Sequence, residues 1–172
     1  MKKTCVYYSL DRKLSSQELL KKCLKEYCGE EEITEKAITR DIYGKPHSNI
    51  GGLYLSVSHT ESIWVCSISG EPIGIDIENI NKKISQGVWE LLGDKHETKG
   101  AFLEKWTKVE SCSKICGRGL CIDWVKLIHY LDSDKFYFQK VDILDNYICM
   151  ICVTNSGIKS HACINVELIN IT

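Results

Sequence analysis

The sequence predicts an α+β fold, and three observations carry that prediction. Short apolar runs with the two-residue period of strands fill both ends of the chain. One long helix-patterned stretch separates them. Turn residues punctuate the strand runs at short intervals. The chain has 172 residues and is 44% hydrophobic, enough to build a sizeable core in one domain or two tightly joined small halves.

TCVYYSL (4–10) reads as the first strand. SSQELLKKCLKEYCG (15–29) reads as an amphipathic helix, with Leu19, Leu20, Cys23, Leu24 and Tyr27 at helical spacing. Ser15 or Ser16 suits its N-cap, Glu18 its first turn and Gly29 its end. Gly44-Lys45-Pro46 marks a turn. LYLSV (53–57), IWVCSI (63–68) and PIGIDIE (72–78) read as strands, and NINKKISQG as a polar connection. A long helix then covers Thr98 to Cys116 and stops at Gly117-Arg118-Gly119. IDWVKLIHYL (122–131), KFYFQKV (135–141), NYICMICV (146–153) and HACINVELI (161–169) complete the strands. Asp132-Ser133-Asp134, Asp145-Asn146 and Asn155-Ser156-Gly157 separate them.

Composition excludes some classes of function. A net charge of −1 gives no global basic field, so nucleic acid is not expected as the main partner. The ten cysteines are scattered through apolar runs and helices rather than through a short, turn-rich scaffold. Free buried thiols in a reducing cytoplasm are the simplest expectation. Cys149 and Cys152 fall on opposite faces of a strand, and Cys112 and Cys116 lack a companion pair, so a zinc site is disfavoured. MKKTCVYY does not read as a signal peptide, and no run approaches the roughly 20 apolar residues that cross a bilayer.

In PIGIDIE, alternation puts Ile73, Ile75 and Ile77 on one face and Gly74, Asp76 and Glu78 on the other, with the two acids about 7 Å apart. Alone, this is an exposed strand face; beside a cation, it is half of a metal site. On the long helix, Phe102, Trp106, Val109, Ser113 and Cys116 form the expected buried stripe, with Glu110 and Lys114 just off its edge. Those two suit a surface ion pair. If the helix packs beside strand 72–78, Glu110 becomes a third carboxylate for a hard cation such as Mg²⁺, and Lys114 a positive point for a phosphate. Ser58-His59-Thr60 reads as a turn between strands whose hydroxyls and imidazole suit either structure or an anion. Adjacent Ser and His do not make a nucleophile–base pair. Arg118 is expected in solvent.

RDIYGKP, SVSHT, PIGIDIE and FLEKWTKVESCSKICGRGL occur in that order. The order resembles the 4′-phosphopantetheinyl transferases, specifically the Sfp-type, two-half members, over residues 40–120. The resemblance implies two pseudo-symmetric halves, 1–80 and 81–172, each a small antiparallel sheet packed on a helix, in one compact monomeric unit. It implies a cytoplasmic, Mg²⁺-dependent enzyme of secondary metabolite biosynthesis. Such an enzyme moves the phosphopantetheine arm of coenzyme A to a serine of an acyl or peptidyl carrier protein and releases adenosine 3′,5′-bisphosphate.

Carried over by residue, Asp76, Glu78 and Glu110 look like the Mg²⁺ ligands, and Lys114 like the lysine on the diphosphate. Lys45, Pro46, Ser58, His59 and Thr60 look like the coenzyme A contacts, with Arg12 and Lys13 as the N-terminal basic candidates. Glu97 is the candidate general base, with Glu90 as its rival. The lysine that the pattern has before the helix acid is Val109 here. Lys108, one place earlier, points about 160° away from Glu110. The competing expectations are a non-catalytic relative that binds carrier protein or coenzyme A, and a metal-dependent phosphohydrolase, which the lack of a histidine cluster disfavours.

Overall fold

The structure is a computed structural model and describes residues 3–11, 13–29, 33–94, 97–117, 128–129, 131, 133–154 and 165–171. Strand β1 (Thr4–Ser9) leads into helix α1 (Ser16–Cys28). Ser15 and Glu18 close a reciprocal capping box, and Gly29, at φ 67°, ends the helix in the left-handed region. The buried face of α1 is Leu19, Leu20, Cys23 and Leu24, as its periodicity predicts. Two short strands, β2 (Ile38–Arg40) and β3 (Pro46–Ser48), flank the Gly44 turn and form a ribbon of their own.

Strands β4 (Tyr54–His59), β5 (Trp64–Ser69) and β6 (Ile73–Asn79) follow where expected. The polar connection then ends in a helix that the sequence reading left out: α2 (Gln86–Leu92), capped by Ser85. Its Trp89 stacks on Phe102 of the long helix α3 (Lys99–Cys116), ring centres 4.5 Å apart. A seven-residue helix has little propensity to form alone, so this tertiary contact supports it. Strands β7 (Phe136–Lys140), β8 (Tyr147–Thr154) and β9 (Val166–Asn170) complete the elements.

The order of the first sheet is β4-β5-β1-β9, and that of the second is β6-β8-β7. The second is antiparallel throughout, whereas β9 runs parallel to β1, so the first sheet is mixed rather than antiparallel. The sheets do not follow a division at residue 80. β6 pairs with β8 from the far side of α3, and β9 returns from the end of the chain to flank β1. Of the expected strand 122–131, residues 122–127 and 130 lie outside the described residues, and Ile128, His129 and Leu131 are helical. Of the expected strand 161–169, residues 161–164 lie outside the described residues.

One core lies between α1 and the first sheet, around Tyr7, Leu24, Leu55 and Ile68. A second joins Val6, Ile63 and Val65 to Ile73, Ile75, Ile77 and Ile151, and so fastens the two sheets together. On the other face of β8, Cys152 meets Val109 and Cys112 of α3. Cys149 and Cys152 thus enter different cores, as strand alternation requires. No helix among the described residues is long and apolar enough to cross a membrane.

Candidate functional site

The site begins at Gly74. α3 lies so close over β6 that a Cβ at position 74 would stand 1.9 Å from the Ser111 carbonyl oxygen. Only a glycine admits that approach, and the approach brings the next two residues of the same strand face, Asp76 and Glu78, under the helix. Both are buried rather than solvent-facing. The helix is covered by β6 and β8 together, so its buried face is wider than a single stripe. Leu103, Thr107, Ser111 and Cys112 are buried with Phe102, Val109 and Ser113, while Trp106 is half-buried and Cys116 is exposed.

β6 is an edge strand of its sheet, and side chains satisfy its outer backbone at Ile75. The Ile75 N–H donates to Ser56 Oγ at 3.1 Å, and the Ile75 carbonyl accepts from Lys114 Nζ at 2.9 Å. One residue on, Asp76 Oδ1 accepts from Ser58 Oγ at 2.8 Å and from Lys114 Nζ at 2.7 Å. Asp76 Oδ2 is buried and makes no hydrogen bond. Glu78 Oε1 accepts from the Trp106 indole N–H at 2.9 Å and from the Lys82 ammonium. Among the described residues, the Glu110 carboxyl makes no hydrogen bond or ion pair. The expected Glu110–Lys114 pair is replaced by the Asp76–Lys114 pair, which ties α3 to β6.

The electrostatics reflect three acids in a partly dry place. Burial, with the Asp76 and Glu78 charges adding to it and Lys114 opposing it, pushes the Glu110 carboxyl up to about 7. Burial also raises Glu78; the Lys82 hydrogen bond offsets this in part, and Asp76 adds to it. The donor set suits a hard cation: carboxylate oxygens, one of them buried with no partner, and a Glu110 carboxyl whose ionisation a cation would favour. As held here, though, no three Asp, Glu, His or Cys groups among the described residues converge tightly enough to grip a metal ion. Lys114 and Lys82 lie on the Asp76 and Glu78 oxygens instead.

The other expected residues separate into two groups. Lys45 comes to the C-terminal end of α3, where its ammonium donates to the Ile115 carbonyl at 2.7 Å. Burial lowers its pKa, and Asp41 works against that. The turn that carries Lys45 is shaped by Asp41, whose Oδ1 accepts from the N–H of Tyr43 and of Lys45, and by Gly44 at φ 83°. Pro46 is buried at the start of β3. Ser58 spends its hydroxyl on Asp76 rather than facing outward. His59 is exposed and stacked on Trp64, ring centres 4.2 Å apart. Thr60 holds the hairpin turn, its Oγ1 accepting from Ser62 N–H at 3.2 Å. Lys13 is exposed, and Arg12, with Arg118, lies outside the described residues.

Glu97 does not join the cluster. It pairs with Lys105 at 3.0 Å and accepts from the Asp94 N–H. It precedes Thr98, the N-cap of α3, and at 1.5 Å per residue the span from Thr98 to Glu110 is about 18 Å along the axis. Glu90, exposed on α2, accepts from the Gln86 side-chain amide at 2.7 Å. Val109 is fully buried, and Lys108 pairs with Glu104 at 2.9 Å, turned away from Glu110. Three contributors escaped the sequence reading: Ser56, Lys82 and the indole N–H of Trp106. Ser56 is two residues before Ser58 on β4, and that shared face was the one signal available for it.

No family model matches the chain. It is similar to the 4′-phosphopantetheinyl transferase gsp of Aneurinibacillus migulanus, 27% identical over 139 residues, which cover 69% of this chain and 58% of that protein. The matched region therefore spans less than two thirds of the length of that curated relative. The likeness lends support to the 4′-phosphopantetheinyl transferase superfamily and goes no finer than that.

Proposed function

We propose that the chain transfers the 4′-phosphopantetheine arm of coenzyme A to a serine of an apo acyl or peptidyl carrier protein, as an Sfp-type member of the superfamily. The observation that carries this reading is the Asp76–Lys114 bond across the α3–β6 contact, with Glu78 and Glu110 beside it. That bond joins the PIGIDIE strand to the long helix, and Ser58 of SVSHT reaches the same carboxylate.

Asp76, Glu78 and Glu110 are the residues that would hold Mg²⁺, which when bound withdraws charge from a diphosphate. Lys114, fixed by Ile75 O and Asp76, keeps a positive charge beside those acids and offsets the charge that grows on the leaving oxygen. The incoming serine must lose its proton within the cluster, since Glu97 is too far along α3. Exposed His59 and Lys13, with Lys45 at the helix end, supply cationic or hydrogen-bonding groups for the nucleotide phosphates.

The test mixes the protein with coenzyme A, Mg²⁺ and an apo carrier protein and weighs the carrier. Gain of one phosphopantetheine is the expected result. Binding with no mass gain across several carriers would favour the non-catalytic reading, which the lysines on Asp76 and Glu78 and the buried Val109 support. Cleaved coenzyme A without carrier would indicate a phosphohydrolase.

A further inference from the structure

The two lysines on these acids are held differently. The Lys114 ammonium is anchored twice, on Asp76 Oδ1 and on the Ile75 carbonyl. Lys82 comes from the turn after β6. That turn is closed by Lys82 N–H on the Asn79 carbonyl at 2.9 Å and by Asn81 N–H on Asn79 Oδ1 at 2.8 Å. It folds Lys82 back over Glu78, four residues earlier. The Lys82 ammonium bonds Glu78 Oε1 and lies 5.7 Å from the centre of the Trp106 ring. Its side chain is 44% exposed, against 11% for Glu78. Among the described residues, Lys82 Nζ has no second hydrogen-bond acceptor.

Glu78 is too buried to carry its charge without a partner, so a positive group must stand on it when no cation does. Two ammonium groups supply the same charge as one divalent ion. We propose that Lys82 is a displaceable counter-ion, holding Glu78 in the cation-free protein and ceding that carboxylate to the divalent cation when it binds. This rests on the cation site proposed above. Lys114, tied to a backbone carbonyl, stays; Lys82, tied to one carboxylate and half in solvent, yields. Competition from Lys82 then weakens cation binding. Coenzyme A, whose phosphates receive the released ammonium, strengthens it, so the two ligands bind with positive coupling through this one side chain.

The test is a calorimetric titration of the full chain with Mn²⁺ at pH 8, without and with coenzyme A, after circular dichroism confirms each variant is folded. K82M is expected to bind Mn²⁺ roughly tenfold more tightly than wild type without coenzyme A, since one charge-assisted bond no longer competes. K82R is expected to keep the wild-type affinity. Coenzyme A should raise the affinity of the wild type more than that of K82M. If K82M binds no more tightly while E110Q still weakens binding, the cation site stands and the role of Lys82 is overturned. If E110Q leaves Mn²⁺ binding unchanged, the cation site itself is wrong and this inference falls with it.

Discussion

Replacing Gly74 with alanine tests the contact on which the site is built. The added methyl would meet the Ser111 carbonyl oxygen at 1.9 Å, the Ser111 carbonyl carbon at 3.0 Å and Ile115 Cγ1 at 3.2 Å. Ordinary contact begins near 3.4 Å, so α3 has to retreat by about 1.5 Å locally. Gly74 is not among the positive-φ glycines, so its backbone accepts alanine and the whole cost lies in the contact. Overpacking of this kind costs about 1–3 kcal/mol, and a clash with helix backbone belongs at the upper end. For a chain of this size, that lowers the melting midpoint by roughly 6–12 °C.

The retreat also lifts Lys114 from Asp76, and a shift of about 1 Å at a reacting centre can cost on the order of 100-fold in rate. The assays are thermal unfolding and carrier mass gain on G74A and on G74A/I115A. Trimming Ile115 relieves only the 3.2 Å contact, so the double variant is expected to stay destabilised. A G74A protein with an unchanged midpoint would refute the seating of α3 on β6. Full rescue by I115A would show that the obstacle is a side chain and not the Ser111 carbonyl.

E110Q should abolish most transfer while the fold survives. It should also flatten the pH dependence of stability in the cation-free protein. With the Glu110 carboxyl raised from 4.5 to about 7, the folded state loses stability as pH rises between those values, by about 3 kcal/mol in all, and chemical denaturation of both proteins from pH 4.5 to 8 reads the difference. S56A leaves the buried Ile75 N–H without its acceptor and should cost about 1–3 kcal/mol by the same measurement. W106F keeps a ring over Lys82 but removes the indole donor to Glu78; it should lower transfer more than stability, which steady-state kinetics beside thermal unfolding would separate.

Much of the local structure was legible in the sequence. Ser15, Glu18 and Gly29 bound α1, and Thr98 and Gly117 bound α3, because capping is chemistry between near neighbours. The isoleucine face of PIGIDIE was legible because strand alternation is local too. α2 was not, because its support comes from Phe102 on another helix.

By itself, the sequence determined helices α1 and α3 and strands β1, β4, β5, β6, β7 and β8, and it carried the ordered motifs that name Asp76, Glu78, Glu110 and Lys114. Only the tertiary structure decided what those groups touch: Lys114 bonds Asp76 instead of Glu110, Ser58 supports Asp76, Lys82 covers Glu78, and Glu97 lies a helix length away. It also decided that β9 joins β1 and β6 joins β8. The physical reason is range: caps and periodicity act over a few residues, whereas long-range pairings depend on the packing of the whole chain.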